Sequence, residues 1–261
     1  MKTTIKRVFR KLGYELQSLE ALSPFGANFY NDIKYLTRNN QLKIIFDVGA
    51  NVGQTSQELV KNFPSSYIYA FEPVPNTFKE LKKNVSKFQK VKPVNIGFGE
   101  QIGQFPITSE DLSGHNTFLI DQKEKKTIDS VQNQTTILVD VNTIDNFCQE
   151  NKIEEINLLK IDTEGFEMKV LKGAENKLKQ QKIDYIFVEC EFYSRPNRQP
   201  HGNFSELFTY LENFNYRVVS FYTDGIDEHG WIWGNVLFCR TAHKEEGQCK
   251  RFHKLSEILD K

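Results

Sequence analysis

From residue 43 to residue 240 the sequence alternates short apolar runs with stretches of helical period, and no other feature limits the fold as strongly. The runs "KIIFDVG" (43–49), "YIYAFEP" (67–73), "VKPVNIGF" (91–98), "INLLKID" (156–162) and "IDYIFVECEF" (183–192) read as strands covered on both faces. Helical stretches at 55–63, 76–88, 143–152, 163–181 and 203–215 separate or follow them. Phe78, Leu81 and Val85 share one face of the second, Val170, Leu171 and Leu178 one face of the fourth, and Phe204, Leu207, Phe208 and Leu211 one face of the fifth. Thr143 is placed to cap the third. This order predicts an α/β fold, a mostly parallel sheet with helices on both faces. Pro93 cannot donate to a ladder, so its strand belongs at an edge. Segments 101–108 and 135–143 look strand-like around a polar insertion at 108–135, and 216–222 with 235–240 read as a terminal antiparallel hairpin.

A chain of 261 residues with 39% apolar content can build one such domain, assigned here to 41–240, with a helical extension at 1–40 and a charged tail at 241–261. The 34 basic and 34 acidic residues cancel, which leaves no net field to attract nucleic acid, and no nucleic-acid partner is expected. Cys148, Cys190, Cys239 and Cys249 have no metal-ligand spacing and read as reduced thiols. With no membrane-length apolar run and no signal peptide in view, the expectation is a cytoplasmic protein. In residues 1–16, Lys2, Lys6, Arg7, Arg10 and Lys11 oppose Ile5, Val8, Phe9 and Leu12 at helical spacing. That pattern suits weak peripheral membrane contact, although a stripe packed on the domain is the simpler reading. Oligomeric state is not encoded in any pattern.

The first strand ends abruptly in "DVGANVG" (47–53), an acid followed by small residues and then a helix. A dinucleotide-binding G-x-G-x-x-G needs Gly where Asn51 stands, and a phosphate loop needs Gly-Lys-Ser/Thr where Gly53 meets Gln54 and Thr55. An acid-x-Gly-x-x-x-Gly turn, as in enzymes that bind S-adenosylmethionine (SAM), fits. That cofactor has no pyrophosphate, so the helix start can face its carboxylate while Asp47 accepts from its ammonium. On this reading Gly49 and Gly53 keep Cβ atoms clear of the ligand. Glu72, at the end of the second strand, is placed to take both ribose hydroxyls.

At "FDVGANVGQTS", "AFEPVPNTFKELKKNV", "TIDNFCQENKIEEINLLKIDTEGFEMKVLKGA" and "IFVECEF" the sequence resembles the FkbM family of SAM-dependent methyltransferases, across roughly residues 42–192. The resemblance implies a class I methyltransferase fold, a Rossmann-like sheet of seven strands with the last antiparallel. It also implies O-methylation, usually of a sugar or polyketide hydroxyl. The cofactor set expected is Asp47, Gly49, Ala50, Asn51, Gly53, Thr55, Glu72, Pro73, Asn95 and Asp162.

The second acidic cluster, "KIDTEGFE" (160–167), follows a central strand, where open α/β sheets place their ligands. Methyl transfer to oxygen needs alignment and a proton acceptor. Asp162 and Glu164 are the first candidates, with Glu189 at the next strand end and His115 in the insertion after them. Glu167 fits the bland role of an acid at a helix start. Clustered carboxylates can hold a divalent cation, but nothing in the spacing demands one, and no metal is expected. For the acceptor, a small molecule or a glycan, the candidate contacts are His115 and Asn116 in the lid-like "DLSGHNTF" (111–118), Arg195, Arg198 and His201 in the loop 192–204, and Trp231 and Trp233 as stacking faces. Simple alternation aims both tryptophans the same way. An oxidoreductase on a dinucleotide fold and a non-catalytic SAM-binding scaffold are the alternatives.

Overall fold

In β1 (Ile44–Val48) the side chains alternate between two cores, with Ile45 packed on one face of the sheet and Phe46 and Val48 on the other. The computed structural model containing it describes residues 11–12, 26–37, 41–109, 117–118, 135–193 and 202–241. Strands β2 (Tyr67–Phe71), β3 (Val91–Val94), β8 (Ile156–Ile161) and β9 (Ile183–Glu191) run parallel to β1. β10 (Tyr216–Asp227) and β11 (Gly230–Arg240) complete a seven-stranded sheet in the order β10-β11-β9-β8-β1-β2-β3. Only β11, the last strand, opposes the others. The chain moves outward from β1 to β3 and then returns to β8 on the other flank of β1, so the order reverses between β1 and β8.

One face carries α1 (Phe29–Leu36), α2 (Gln54–Asn62) and α3 (Pro75–Val85), which bury Ile33, Leu59, Leu81 and Val85 against it. The other carries α4 (Ile144–Glu150), α5 (Glu167–Lys172), α6 (Glu175–Lys179) and α7 (Phe204–Glu212), which bury Phe147, Leu171, Leu178 and Leu207. Thr143 caps α4 by accepting the Asn146 N–H, as its residue type predicts. The extension before β1 is bolted to the far edge of the sheet. Asp32 of α1 is buried and accepts from Tyr222 Oη of β10 at 2.5 Å and from Gly26 N at 2.8 Å, while Phe29 stacks on Phe187 of β9.

Four expectations change. The stretch 91–98 is not one strand. β3 stops at Val94 on the sheet edge, where Pro93 is tolerated, and β4 (Gly97–Phe98) opens a second sheet with β5 (Gly103–Ser109), β6 (Thr117–Phe118) and β7 (Thr135–Asn142) in the order β4-β7-β5-β6. The stretch 163–181 is a turn followed by two short helices, because the backbone caps α5 at Gly173 and restarts from Ala174. The hairpin strands run to Asp227 and from Gly230, so both tryptophans lie inside a strand. The tryptophans also have different neighbours: register shifts around Gly225 break the alternation, Trp231 packs near Phe192 and Phe221, and Trp233 lies over Gly225.

Among the described residues no helix is long and apolar enough to cross a membrane. The basic face of 1–16, apart from residues 11–12, and the tail beyond residue 241 lie outside the described residues.

Candidate active site

At the reversal point an open crevice lies above the exits of β1 and β8. Its apolar side is made by Val48, Phe71, Val74, Ile96, Phe98 and Ile107, the last two contributed by the second sheet. Its polar side is made by Gly49, Asn51, Glu72, Asp162, Thr163 and Glu164.

The turn after β1 is tight for reasons internal to the protein. A Cβ on Gly49 would lie 1.7 Å from the Asp162 carbonyl oxygen, and the residue has φ +76°, so the two strand exits touch only because this position is glycine. Gly53, at φ +92°, faces away from the crevice, and its Cβ would meet Leu81 Cδ1 of α3 at 2.8 Å. The room it makes is used for helix packing, which corrects the expectation of clearance for a ligand. The amides of the turn are also engaged within the chain. Gly49 and Ala50 donate to Phe71 O, Asn51 to Glu72 Oε2, and Gly53 to Ala50 O.

Asp47 does not line the crevice. It is fully buried beneath it, accepting from Ser56 Oγ at 2.6 Å and lying 3.1 Å from Lys160 Nζ. Ala50 is buried, and Thr55, on the first turn of α2, lies outside the lining. Asn95 clamps the second strand exit, donating from Nδ2 to Glu72 O and Pro73 O at 2.8 and 2.9 Å. Pro73 itself lines the crevice. Glu72 is 6% exposed and accepts from Val74 N at 2.9 Å and Asn51 N at 3.1 Å. Burial is the main influence on its carboxyl and pushes it up to about 7 against those bonds and the Lys160 charge.

On the β8 side, Asp162, Glu164 and Glu189 bring carboxylate oxygens within 4.8 Å of one another, a spacing at which acids share a proton or a cation. Burial first, then the charges of Asp162, Glu164 and Glu167, hold the Glu189 carboxyl far above the ordinary range. The backbone that presents Glu164 is left-handed at two successive residues, Glu164 at φ +52° and Gly165 at φ +107°. Glu167 holds that turn together. Completely buried, it accepts from Thr163 N, Thr163 Oγ1 and Gly165 N, and from Gly202 N at 3.1 Å at the start of the chain leading to α7. The bland reading of Glu167 as a dipole partner misses this; its signal, a carboxylate two residues beyond a glycine turn, is common to both roles.

Sequence reasoning also passed over Lys160. It is 4% exposed, and its Nζ reaches Asp47 Oδ1 at 3.1 Å, Asp162 Oδ2 at 3.2 Å and Gly49 O at 3.2 Å. Burial opposes its charge, but Asp162 and Asp47 outweigh it and its ammonium titrates above the usual lysine range. A lone lysine inside the apolar run "INLLKI" was the available signal, since lysine is almost never buried unless paired. His115, Asn116, Arg195, Arg198 and His201 lie outside the described residues. Trp231, half exposed, stands at the hairpin tip, and Trp233 pairs in register with Glu191 at the end of β9.

A model of the family described as methyltransferase FkbM domain matches residues 47–218 of this chain. The chain is similar to Methyltransferase 1 of Beauveria bassiana, with 29% identity over 189 residues covering 67% of this chain and 72% of the relative. It is also similar to hexuronic acid methyltransferase AglP of Haloferax volcanii, 25% identical over 147 residues, covering 56% of this chain and 55% of the relative. To 2-O-methyltransferase NoeI of Sinorhizobium fredii it is 21% identical over 164 residues, covering 58% of this chain and 65% of the relative. Among solved structures, M. capricolum TrmK in complex with S-adenosyl-homocysteine aligns with TM-score 0.44 and 15% identity, over 84% of this chain and 72% of that one.

Proposed function

The chain belongs to the FkbM methyltransferase family, and on that premise we propose that it moves a methyl group from SAM to a hydroxyl of a carbohydrate. The observation that carries this reading is one crevice combining a buried strand-end acid, Glu72, an apolar wall and the pair Asp162–Glu189. The names of two relatives, a hexuronic acid methyltransferase and a 2-O-methyltransferase, support a sugar acceptor and O-methylation.

The residues fit the cofactor. Glu72 has lone pairs left for ribose hydroxyls after two amide bonds, Val74, Ile96, Phe98 and Ile107 suit a flat base, and the acids after β8 suit an ammonium. SAM, when bound, supplies a methyl carbon attached to a positively charged sulfur. The protein's own task is then alignment of the acceptor oxygen and removal of its proton. Asp162, 3.2 Å from the Lys160 ammonium and lining the crevice, is the group proposed to take the proton that the hydroxyl sheds. Glu189, whose carboxyl is raised by burial and by the neighbouring acids, is the group that can share a proton with Asp162. Lys160 already neutralises part of the acidic cluster, which favours proton sharing over a divalent ion as its resting state. Trp231, half exposed on β11, and Trp233, in register with Glu191, are the contacts proposed for a sugar ring.

The test begins with calorimetry. SAM is expected to bind and NADH not to bind; no SAM binding would refute the reading. Methyl transfer from isotopically labelled SAM to a panel of uronic acids and neutral sugars, followed by mass spectrometry, then identifies the acceptor. Turnover is expected to survive exhaustive chelation, and a loss restored by added magnesium would replace proton sharing with metal assistance.

A further inference from the structure

Lys160 lies directly opposite Asp47 in the β1–β8 register, two residues before Asp162, on the sheet face that carries α1 and α2. Both strand exits at the order reversal are therefore tied to a single buried ammonium, through the Gly49 carbonyl on one side and the Asp162 carboxylate on the other. A buried ammonium has three N–H donors to satisfy, and which acceptors it finds decides what it holds together. Lys160 finds three acceptors, and two of them belong to lining residues of the crevice.

We propose that Lys160 is the positioning residue of this site: it selects Asp162, rather than Glu189, as the ionised acid, and fixes the separation of the β1 and β8 exits. The inference rests on the methyltransferase reading only for what the selected acid does, not for the selection itself. Among the described residues, the groups that act on the pair directly are Lys160 on β8 and Glu164 and Glu167 after it, while Asp47 on β1, Glu72 after β2 and Tyr30 on α1 act on Lys160 or Asp47. Of these described residues all but Lys160 are acids or a phenol, so its positive charge favours leaving the negative charge on the carboxylate nearest to it. Asp162 Oδ2 is 3.2 Å from that charge, whereas Glu189 has no ion pair with Lys160 among the described residues and lies with its oxygens within 4.8 Å of those of Asp162.

The test uses carbon-13 carboxyl titration of the full-length protein without any methyl donor, comparing wild type, Lys160→Met and Asp47→Asn. An opposite charge this close lowers a carboxyl by about 1–3 pH units, so in Lys160→Met the lower titration step of the pair is expected to rise by at least about one unit. In Asp47→Asn, which leaves the ammonium to Asp162 alone, the same step is expected to move down. Circular dichroism checks that each variant is folded; if Lys160→Met is not, the direction of the Asp47→Asn shift decides. A pair that titrates at the wild-type pH in either folded variant overturns the proposal. If the wild type transfers no methyl group but the pair responds as expected, the selection by Lys160 stands and the functional reading fails separately. Where turnover is measurable, Lys160→Met should move the acid limb of the pH–rate profile upward, and Lys160→Arg should bring it back; an unmoved limb in Lys160→Met counts against the proposal.

Discussion

Replacing Glu72 with Gln should stabilise the ligand-free protein above neutral pH while weakening it in acid. In the fold this carboxyl is raised from 4.5 to about 7, chiefly by burial. A group raised in this way supports the folded state fully below its unfolded value and loses that support as pH rises through the folded one. At about 1.4 kcal/mol per pH unit, the support lost between 4.5 and 7 is about 3 kcal/mol. Gln never ionises, so Glu72→Gln avoids that loss. The variant keeps an oxygen for Val74 N but turns an amide toward Asn51 N, forfeiting a hydrogen bond worth about 1 kcal/mol. The net expectation is a variant about 2 kcal/mol more stable at pH 8 and about 1 kcal/mol less stable near pH 4. For a chain of this size about 2 kcal/mol corresponds to a rise in Tm of roughly 4–8 °C. Urea titrations of both proteins at several pH values between 4 and 8 measure the difference directly. A difference that stays constant across that range refutes the argument, because it would mean that Glu72 titrates alike in the folded and unfolded chains.

Gly49→Ala should prevent the β1 and β8 exits from meeting, since its Cβ would lie 1.7 Å from a backbone oxygen. We expect a loss of about 3 kcal/mol or more, read from the urea midpoint, and a loss under about 1 kcal/mol would show that the exits can separate freely. Glu167→Gln should cost about 2 kcal/mol, because one of its two oxygens is replaced by a donor amid amides and a hydroxyl that all donate to it. Hydrogen exchange at Gly165 and Gly202 should accelerate in that variant, and unchanged protection at both amides would remove Glu167 from the turn's support.

The sheet was legible in the sequence because strands buried on both faces admit few polar residues, so "KIIFDVG" and "IDYIFVECEF" stand out from the helices that flank them. Glu72, Asp162, Glu164 and Glu189 were legible for a related reason: acids at strand exits interrupt otherwise apolar runs. What the crowding of the turn was for did not show. Gly49 and Gly53 signal close approach without naming the neighbour, and those neighbours, Asp162 and Leu81, lie 113 and 28 positions along the chain. That the two tryptophans have different neighbours did not show, because nothing local in "HGWIWGN" announces the register shift between them. The division of 91–98 between two sheets likewise depends on β7, which begins some 40 residues later.

The bond from Asp32 to Tyr222 spans 190 positions. During synthesis the first of these residues leaves the ribosome long before the second exists, and β1 similarly waits for β8. Phe29 of α1 therefore waits for Phe187 and Tyr222, although Tyr30 and Ile33 find partners as early as Phe63 and the β1 core. A nascent chain of this protein offers α1 an early resting place beside Phe63, and the terminal hairpin later locks it there through Tyr222.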